Sequence, residues 1–170
     1  CTSIYKSCLF LPGGPGVDSS YFEPLVKTLG LPTHTWFLDF PGNGSNGPRN
    51  FKDFDSWFKL LPIMISRFEK PILIGHSFGA MFPLLFPELE DRLSGLILLN
   101  GLPCLPKSPI RYKKEEKEFL EFPSQKTFKK ALNVAGNRHF TRPFVREGQQ
   151  FLDNLSFNWR APLWWMKTAQ

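Results

Sequence analysis

Four short apolar runs, each closed by turn-forming residues, constrain this chain more than any other feature. Cys8-Leu9-Phe10-Leu11 is ended by Pro12-Gly13-Gly14-Pro15-Gly16, and Trp36-Phe37-Leu38 by Asp39-Phe40-Pro41-Gly42-Asn43-Gly44-Ser45. Pro71-Ile72-Leu73-Ile74 is ended by Gly75-His76-Ser77-Phe78-Gly79, and Leu96-Ile97-Leu98-Leu99 by Asn100-Gly101. Runs of this length without polar alternation suit strands covered on both faces. Amphipathic stretches separate them. Residues 19–29 read as a helix, with Asp18 or Ser19 as its cap and Gly30 past its end. Residues 51–68 read as a second helix, kinked or broken at Pro62, and a short one runs from Ser77 to about Phe86 with a kink at Pro83. Strands joined through helices are parallel, with right-handed crossovers. The expected fold class is therefore α/β: an open parallel sheet of about four strands, with ligands at the C-terminal ends of the strands. Every glycine-rich or polar cluster named above falls at such an end.

The pattern changes after Gly101. Pro103, Pro106 and Pro109 make a stiff connection, and the remainder reads as helices over about 113–121, 124–135, 143–157 and 161–168, with no convincing strand. The expected division is a partial α/β core over 1–102 and a helical cap over 103–170, lying across the strand ends. The 170 residues suit one domain of ordinary size. Residues AVILMFWYC at 42% and DEKR at 21% exclude a disordered tail. No stretch approaches the roughly 20 apolar residues that a membrane-spanning helix needs. The first residue is Cys rather than Met, and no secretory signal follows, so the chain reads as a fragment of something longer.

Cys1, Cys8 and Cys104 are odd in number and widely spaced, without a Cys-x-x-Cys pair. That argues for a reducing, cytoplasmic setting and against disulfides or zinc. The net charge of +6 is uneven. Residues 1–105 carry eight Lys/Arg against nine Asp/Glu, whereas residues 106–170 carry thirteen against six. A basic half can meet nucleic acid. Here the lysines of Lys113-Lys114-Glu115-Glu116-Lys117-Glu118 alternate with glutamates that pair along a helix, which points instead to a solvated face and to no nucleic-acid partner.

Gly75-His76-Ser77-Phe78-Gly79 fits Gly-x-Ser-x-Gly. A serine that leaves a strand and enters a helix through a sharp turn needs its second neighbours, Gly75 and Gly79, free of side chains. Its hydroxyl then stands above the sheet, and the next N–H, that of Phe78, points at a reacting carbonyl oxygen. The loop Pro12-Gly13-Gly14-Pro15-Gly16 frees further N–H groups at the end of another strand. One donor from it and one from Phe78 would form an oxyanion hole, whose single donors are typically worth about 10²–10³ in rate. A phosphate-binding loop is the competing reading. It fails because this loop and the residues after it, 12–19, fit neither Gly-x-Gly-x-x-Gly nor Gly-Lys-Ser/Thr.

The ordered set Leu-Pro-Gly-Gly-Pro-Gly (11–16), Asp-Phe-Pro-Gly-Asn-Gly-Ser (39–45) and Gly-His-Ser-Phe-Gly (75–79) resembles the α/β-hydrolase superfamily, in particular its small-molecule serine hydrolases with a helical cap. The Gly-Gly-Pro-Gly loop gives some likeness to proline-iminopeptidase-type members, although their Gly-Gly-Ser-Trp-Gly elbow is replaced here. The resemblance implies Ser77 as nucleophile, with the backbone N–H groups of Phe78 and Gly14 as oxyanion donors. It implies cleavage of a small-molecule ester, thioester or amide without metal or organic cofactor. Asp39 and the Gly42/Gly44 turn match a loop that shapes the fold. Pro12 stands where many members carry His.

The family's later acid and histidine are missing from the 170 residues, as are the first strands of its sheet. His76 adjoins Ser77 and is expected to pack under the loop. His34 precedes the second strand, at the wrong end of the sheet, and His139 belongs to the cap. Asn100 ends the fourth strand but cannot stabilise an imidazolium as a carboxylate would. The chain alone is therefore expected to be nearly inactive, its parent being an enzyme. The alternative is a truncated, non-catalytic paralogue that binds a small molecule or a protein. Of the cap aromatics Phe140, Phe144, Phe151, Phe157, Trp159, Trp164 and Trp165, most are expected to glue cap to core and a few to line an apolar site.

Overall fold

The computed structural model describes residues 6–47, 53–101, 113–136 and 142–168. Cys1, Cys104, the three prolines of the connection, His139 and Phe140 lie outside the described residues. Four parallel strands form one sheet: β1 (Ser7–Leu11), β2 (His34–Phe37), β3 (Ile72–His76) and β4 (Gly95–Leu99), in the order β2-β1-β3-β4. Leu9 pairs in register with Trp36 on one side and with Leu73 on the other, and Leu73 with Leu96. The chain leaves β1 toward β2 and then returns past β1 to β3. Loops after β1 and β3 thus part in opposite directions, which opens a crevice between the C-terminal ends of those two strands.

The central strands are apolar because they are enclosed. Leu9, Leu11 and Leu73 are fully buried against Phe40, Phe54, Trp57, Leu61, Ile65 and Phe82, while Phe10 and Ile74 pack on the opposite face with Phe22. The outer strands depart from expectation. β2 alternates exposed and half-buried residues, and the middle three residues of β4 are all exposed. Among the described residues β4 has a single sheet neighbour, and Leu96, Ile97 and Leu98 are only partly covered.

Local differences have local causes. The first expected helix is split into a single 3-10 turn, Ser19–Phe22, and α1 (Glu23–Leu29). Pro24 suits the start of α1, and Gly30 closes it in a left-handed conformation. Helix α2 (Phe54–Ile65), capped by Asp53, runs through Pro62 without a break. Phe54, Trp57, Leu61 and Ile65 anchor it on both sides of the proline, outweighing one lost hydrogen bond. His34 lies within β2 as its first residue, exposed at the N-terminal edge. The segment after Ser77 is broken rather than kinked. Helix α3 (Phe78–Met81) gives way to 3-10 turns at Pro83–Leu85 and Pro87–Arg92, since each proline removes a helical donor.

Four further helices follow: α4 (Lys114–Glu121), α5 (Gln125–Gly136), α6 (Val145–Asn154) and α7 (Arg160–Thr168). Phe119, Phe128 and Ala131 form a small core of their own with Phe157, Leu163 and Met166 at its margin. Helix α7 is shared between the two cores, since Ala161, Trp164 and Trp165 pack against the main one. The glutamate–lysine pairing expected of this region appears as the Glu118–Lys130 ion pair, 2.7 Å between helices α4 and α5 rather than along one helix.

Candidate active site

Ser77 sits between the end of β3 and the start of α3, with φ 51° and ψ −115°. A side chain is rarely found in that conformation, and here the surroundings fix it. Its N–H donates to the Leu99 carbonyl of β4 at 2.8 Å, and its carbonyl accepts from Ala80 N–H at 3.1 Å. The flanking glycines are required by contact. A Cβ on Gly75 would lie 2.6 Å from the Gly79 carbonyl oxygen, and one on Gly79 would lie 2.3 Å from that of Pro12. The β1 loop and the β3 turn are therefore in direct backbone contact across the crevice between those strands.

Ser77 is half-buried, and among the described residues its hydroxyl has no hydrogen-bond partner. A Cβ built on Gly13 would come within 3.2 Å of the Ser77 Cβ, so the side chain faces the proline-glycine loop. Gly14 is exposed at φ 122°, and neither its N–H nor that of Phe78 meets an acceptor among the described residues. Phe78 N–H is free because it opens a helix, where the first donors have no acceptor within the helix. Gly13 N–H is committed: it donates to the Tyr21 hydroxyl at 2.7 Å.

His76 does more than pack under the loop. Its Nδ1 lies 2.7 Å from the Tyr21 hydroxyl. That oxygen also accepts from Gly13 N–H, so the phenol bridges the β1 loop and the last residue of β3. Burial lowers the pKa of His76 below its ordinary value. Burial likewise holds the Tyr21 phenol well above its usual range, opposed by the Gly13 hydrogen bond and reinforced by the charge of Asp18. Of the two described histidines, His34 lies at the far end of the sheet and the Nδ1 of His76 is engaged by Tyr21.

Asp39 braces the neighbouring turns. Its carboxylate accepts from the N–H and hydroxyl of Ser19, at 2.8 and 2.7 Å, and from those of Ser45, at 3.2 and 3.3 Å. A Cβ on Gly44 would overlap this carboxylate, so a glycine at φ 48° is required there. Asn158, which nothing in its position between Phe157 and Trp159 singles out, joins the helical part to both loops. Its N–H donates to Gly16 at 2.8 Å and its side-chain amide to the Gly42 carbonyl at 3.0 Å. Tyr21 was equally invisible, because its partners are 8 and 55 residues away.

The aromatics divide as their positions dictate. Trp164 and Trp165 pack edge-on against Phe54, and Trp165 also meets Phe78 at 5.2 Å. Phe157 packs with Phe128, and Trp159 carries Arg160 over its ring. Phe144 is exposed, while Phe151, also exposed, meets the Tyr21 ring at 6.1 Å. A groove of about 580 Å³ lined by Pro83, Phe86, Leu93 and Leu96 lies beneath the β4 edge and does not include Ser77. Among the described residues no group of three or more His, Cys, Asp or Glu side chains could hold a metal, and no helix is long and apolar enough to cross a membrane.

Comparison with solved structures shows the same fold. A marine microorganism esterase is 15% identical, with 96% of this chain and 67% of that one covered and a TM-score of 0.60. A serine hydrolase from the polyaromatic-hydrocarbon-degrading bacterium Cycloclasticus zankles is 20% identical, with 88% and 56% covered and a TM-score of 0.59. An extracellular alpha/beta-hydrolase from a Paenibacillus species is 16% identical, with 93% and 69% covered and a TM-score of 0.53. The chain spans 42–50% of the length of several other solved structures that it matches. No curated protein matches it. The alpha/beta hydrolase family matches residues 8–169, nearly the whole sequence, and the chain belongs to that family.

Proposed function

We propose that this chain carries the nucleophile half of a serine hydrolase site acting on a small-molecule ester, thioester or amide. The observation that carries the reading is the placement of Ser77. It is half-buried and unpartnered among the described residues, held at positive φ where β3 ends, and it faces the β1 loop. Ser77 Oγ attacks the substrate carbonyl carbon, and the displaced electron pair becomes an oxyanion received by the free N–H groups of Gly14 and Phe78. The serine proton passes to a histidine outside these 170 residues, paired with an acid also outside them, and then to the leaving group. Water repeats the sequence on the acyl-serine. The site needs no metal or organic cofactor for these steps.

The division that goes with this reading is a partial core over 1–102 and a helical cap over 103–170, supported by the separate apolar cluster around Phe119 and Phe128. A reducing, cytoplasmic setting goes with this reading; among the described residues Cys8 is buried and free. The test is hydrolysis of a series of p-nitrophenyl esters by the full-length protein. Ser77→Ala is expected to lose about 10⁴-fold or more of turnover. Undiminished turnover in that variant rejects Ser77 as nucleophile. Absence of turnover in the unmodified protein, with ligand binding retained, favours the non-catalytic binding module.

A further inference from the structure

We propose that Tyr21 is a positioning residue of this site: its hydroxyl ties the β1 loop to the residue preceding Ser77 and so sets where the Gly14 N–H lies relative to the serine. The proposal rests on the reading of Ser77 as nucleophile and deepens it.

Tyr21 follows the β1 loop, on the 3-10 turn Ser19–Phe22, yet its hydroxyl returns to that loop. It accepts from Gly13 N–H at 2.7 Å and stands 2.7 Å from His76 Nδ1. A phenol has one proton. In the proposed direction that proton goes to His76, giving one directed chain, Gly13 N–H to Tyr21 O–H to His76 Nδ1. The chain has two consequences. Gly13 N–H is withdrawn from any role toward a ligand, which leaves Gly14 as the next donor of the loop. His76 is fixed as the Nε2–H tautomer, and with it the last residue of β3 before Ser77.

The brace is enclosed by rings rather than by charges. The Tyr21 ring packs at 4.3 Å from Phe22 and meets His76 and Phe151 edge-on, and Phe22 meets His76 edge-on as well. Hydrogen bonds in such surroundings are stronger than at the open surface, and an unpaired member costs more. The loop itself contributes little side-chain packing, since three of its five residues are glycine. Asn158 N–H holds the loop at Gly16, and among the described residues Tyr21 is the side chain that holds it at Gly13, next to Gly14.

The experiment uses the full-length protein with ¹⁵N-labelled histidine. Long-range ¹H–¹⁵N correlation near pH 7 reads the tautomer of His76, assigned with a His76→Asn variant. The expected spectrum has a bare, hydrogen-bonded Nδ1 and a protonated Nε2, and Tyr21→Phe shifts it toward mixed tautomers. A protonated Nδ1 in the unmodified protein overturns the proposal whatever the enzyme does. In ester hydrolysis Tyr21→Phe is expected to lower kcat by about 10- to 100-fold with little change in KM, because the oxyanion donor acts in the transition state. An unchanged kcat overturns the positioning role.

Should Tyr21→Phe not fold, a second pair decides. The Asn Oδ1 in His76→Asn can accept the Tyr21 proton and is expected to keep most of kcat, whereas His76→Leu is expected to lose it. Equal losses in both overturn the proposal. If Ser77→Ala retains full turnover, the nucleophile reading fails and the positioning role falls with it. The tautomer spectrum still shows whether the brace exists.

Discussion

β3 and β4 are neighbours in one sheet and carry nearly the same apolar text, Ile-Leu-Ile against Leu-Ile-Leu, yet their surroundings are opposite. Leu73 is 0% exposed and Ile74 5%, whereas Leu96, Ile97 and Leu98 are 43%, 48% and 39% exposed. The difference lies in what flanks each strand. β3 has a strand on either side and apolar layers on both faces; β4 has β3 on one side and, among the described residues, nothing on the other. An apolar run thus specifies a strand and a demand for cover, without specifying what supplies it. The crevice that holds Ser77 stands at the covered side of the sheet, between β1 and β3, where backbone positions are most tightly determined.

Equal truncations break or sharpen this contrast most strongly. Leu73→Ala is expected to destabilise the chain by about 3–5 kcal/mol in urea unfolding, the upper part of the range for a fully enclosed leucine. Leu98→Ala is expected to cost about 1 kcal/mol or less, since much of its side chain stays in water. Similar losses at both positions would mean that β4 is covered in solution.

The glycines repeat the contrast at smaller scale. Gly79→Ala forces a Cβ to 2.3 Å from the Pro12 carbonyl oxygen, and a loss of about 3 kcal/mol is expected because backbone on both sides must move. Gly30, unlike Gly79, is at positive φ, but it has nothing within 4 Å of its added Cβ. Its replacement by Ala carries only the conformational penalty, about 1–2 kcal/mol. Thermal unfolding of the two variants side by side measures the difference.

A bare apolar edge without charge, proline or bulge invites pairing. Sedimentation of the 170-residue chain is expected to show self-association, which Ile97→Lys weakens about tenfold; a monomer unaffected by that change would show that the edge is not sticky. The smallest effect is that of pH. The pKa of His76 is lowered by burial, so below about pH 6.5 the unfolded chain takes up a proton more readily than the folded one. Stability is therefore expected to fall as pH drops through the window beneath that value, and to be unaffected by His76 above it. Tyr21 is the titratable group in contact with the imidazole, with Asp18 beyond it, and neither reverses the sign. Urea midpoints from pH 7 to 5 should decline more steeply in the unmodified chain than in His76→Asn.

The strands were legible because their causes are local, and the Ser77 turn because the glycines it requires stand within five consecutive residues. Gly75 and Gly79 are dictated by contacts with the turn and with the strand end beside it, and apolar runs mark strands whatever lies around them. Helix α3 was overestimated because the two prolines act together, ending it at Met81 before either could be absorbed as a kink. At Pro62 the opposite happened, since four buried side chains hold α2 together. What sequence could not reveal were bonds closed by tertiary structure. Tyr21 to His76 and Asn158 to Gly42 join residues 55 and 116 apart, and neither residue type is unusual where it stands. The exposure of β4 was hidden for the same reason, since cover is a property of neighbours.

The most direct test is to map the adduct formed when the full-length protein is treated with a fluorophosphonate. A single phosphonyl group on Ser77, lost in Ser77→Ala, is the predicted result. An adduct on another serine, or none on a folded protein, would contradict the account.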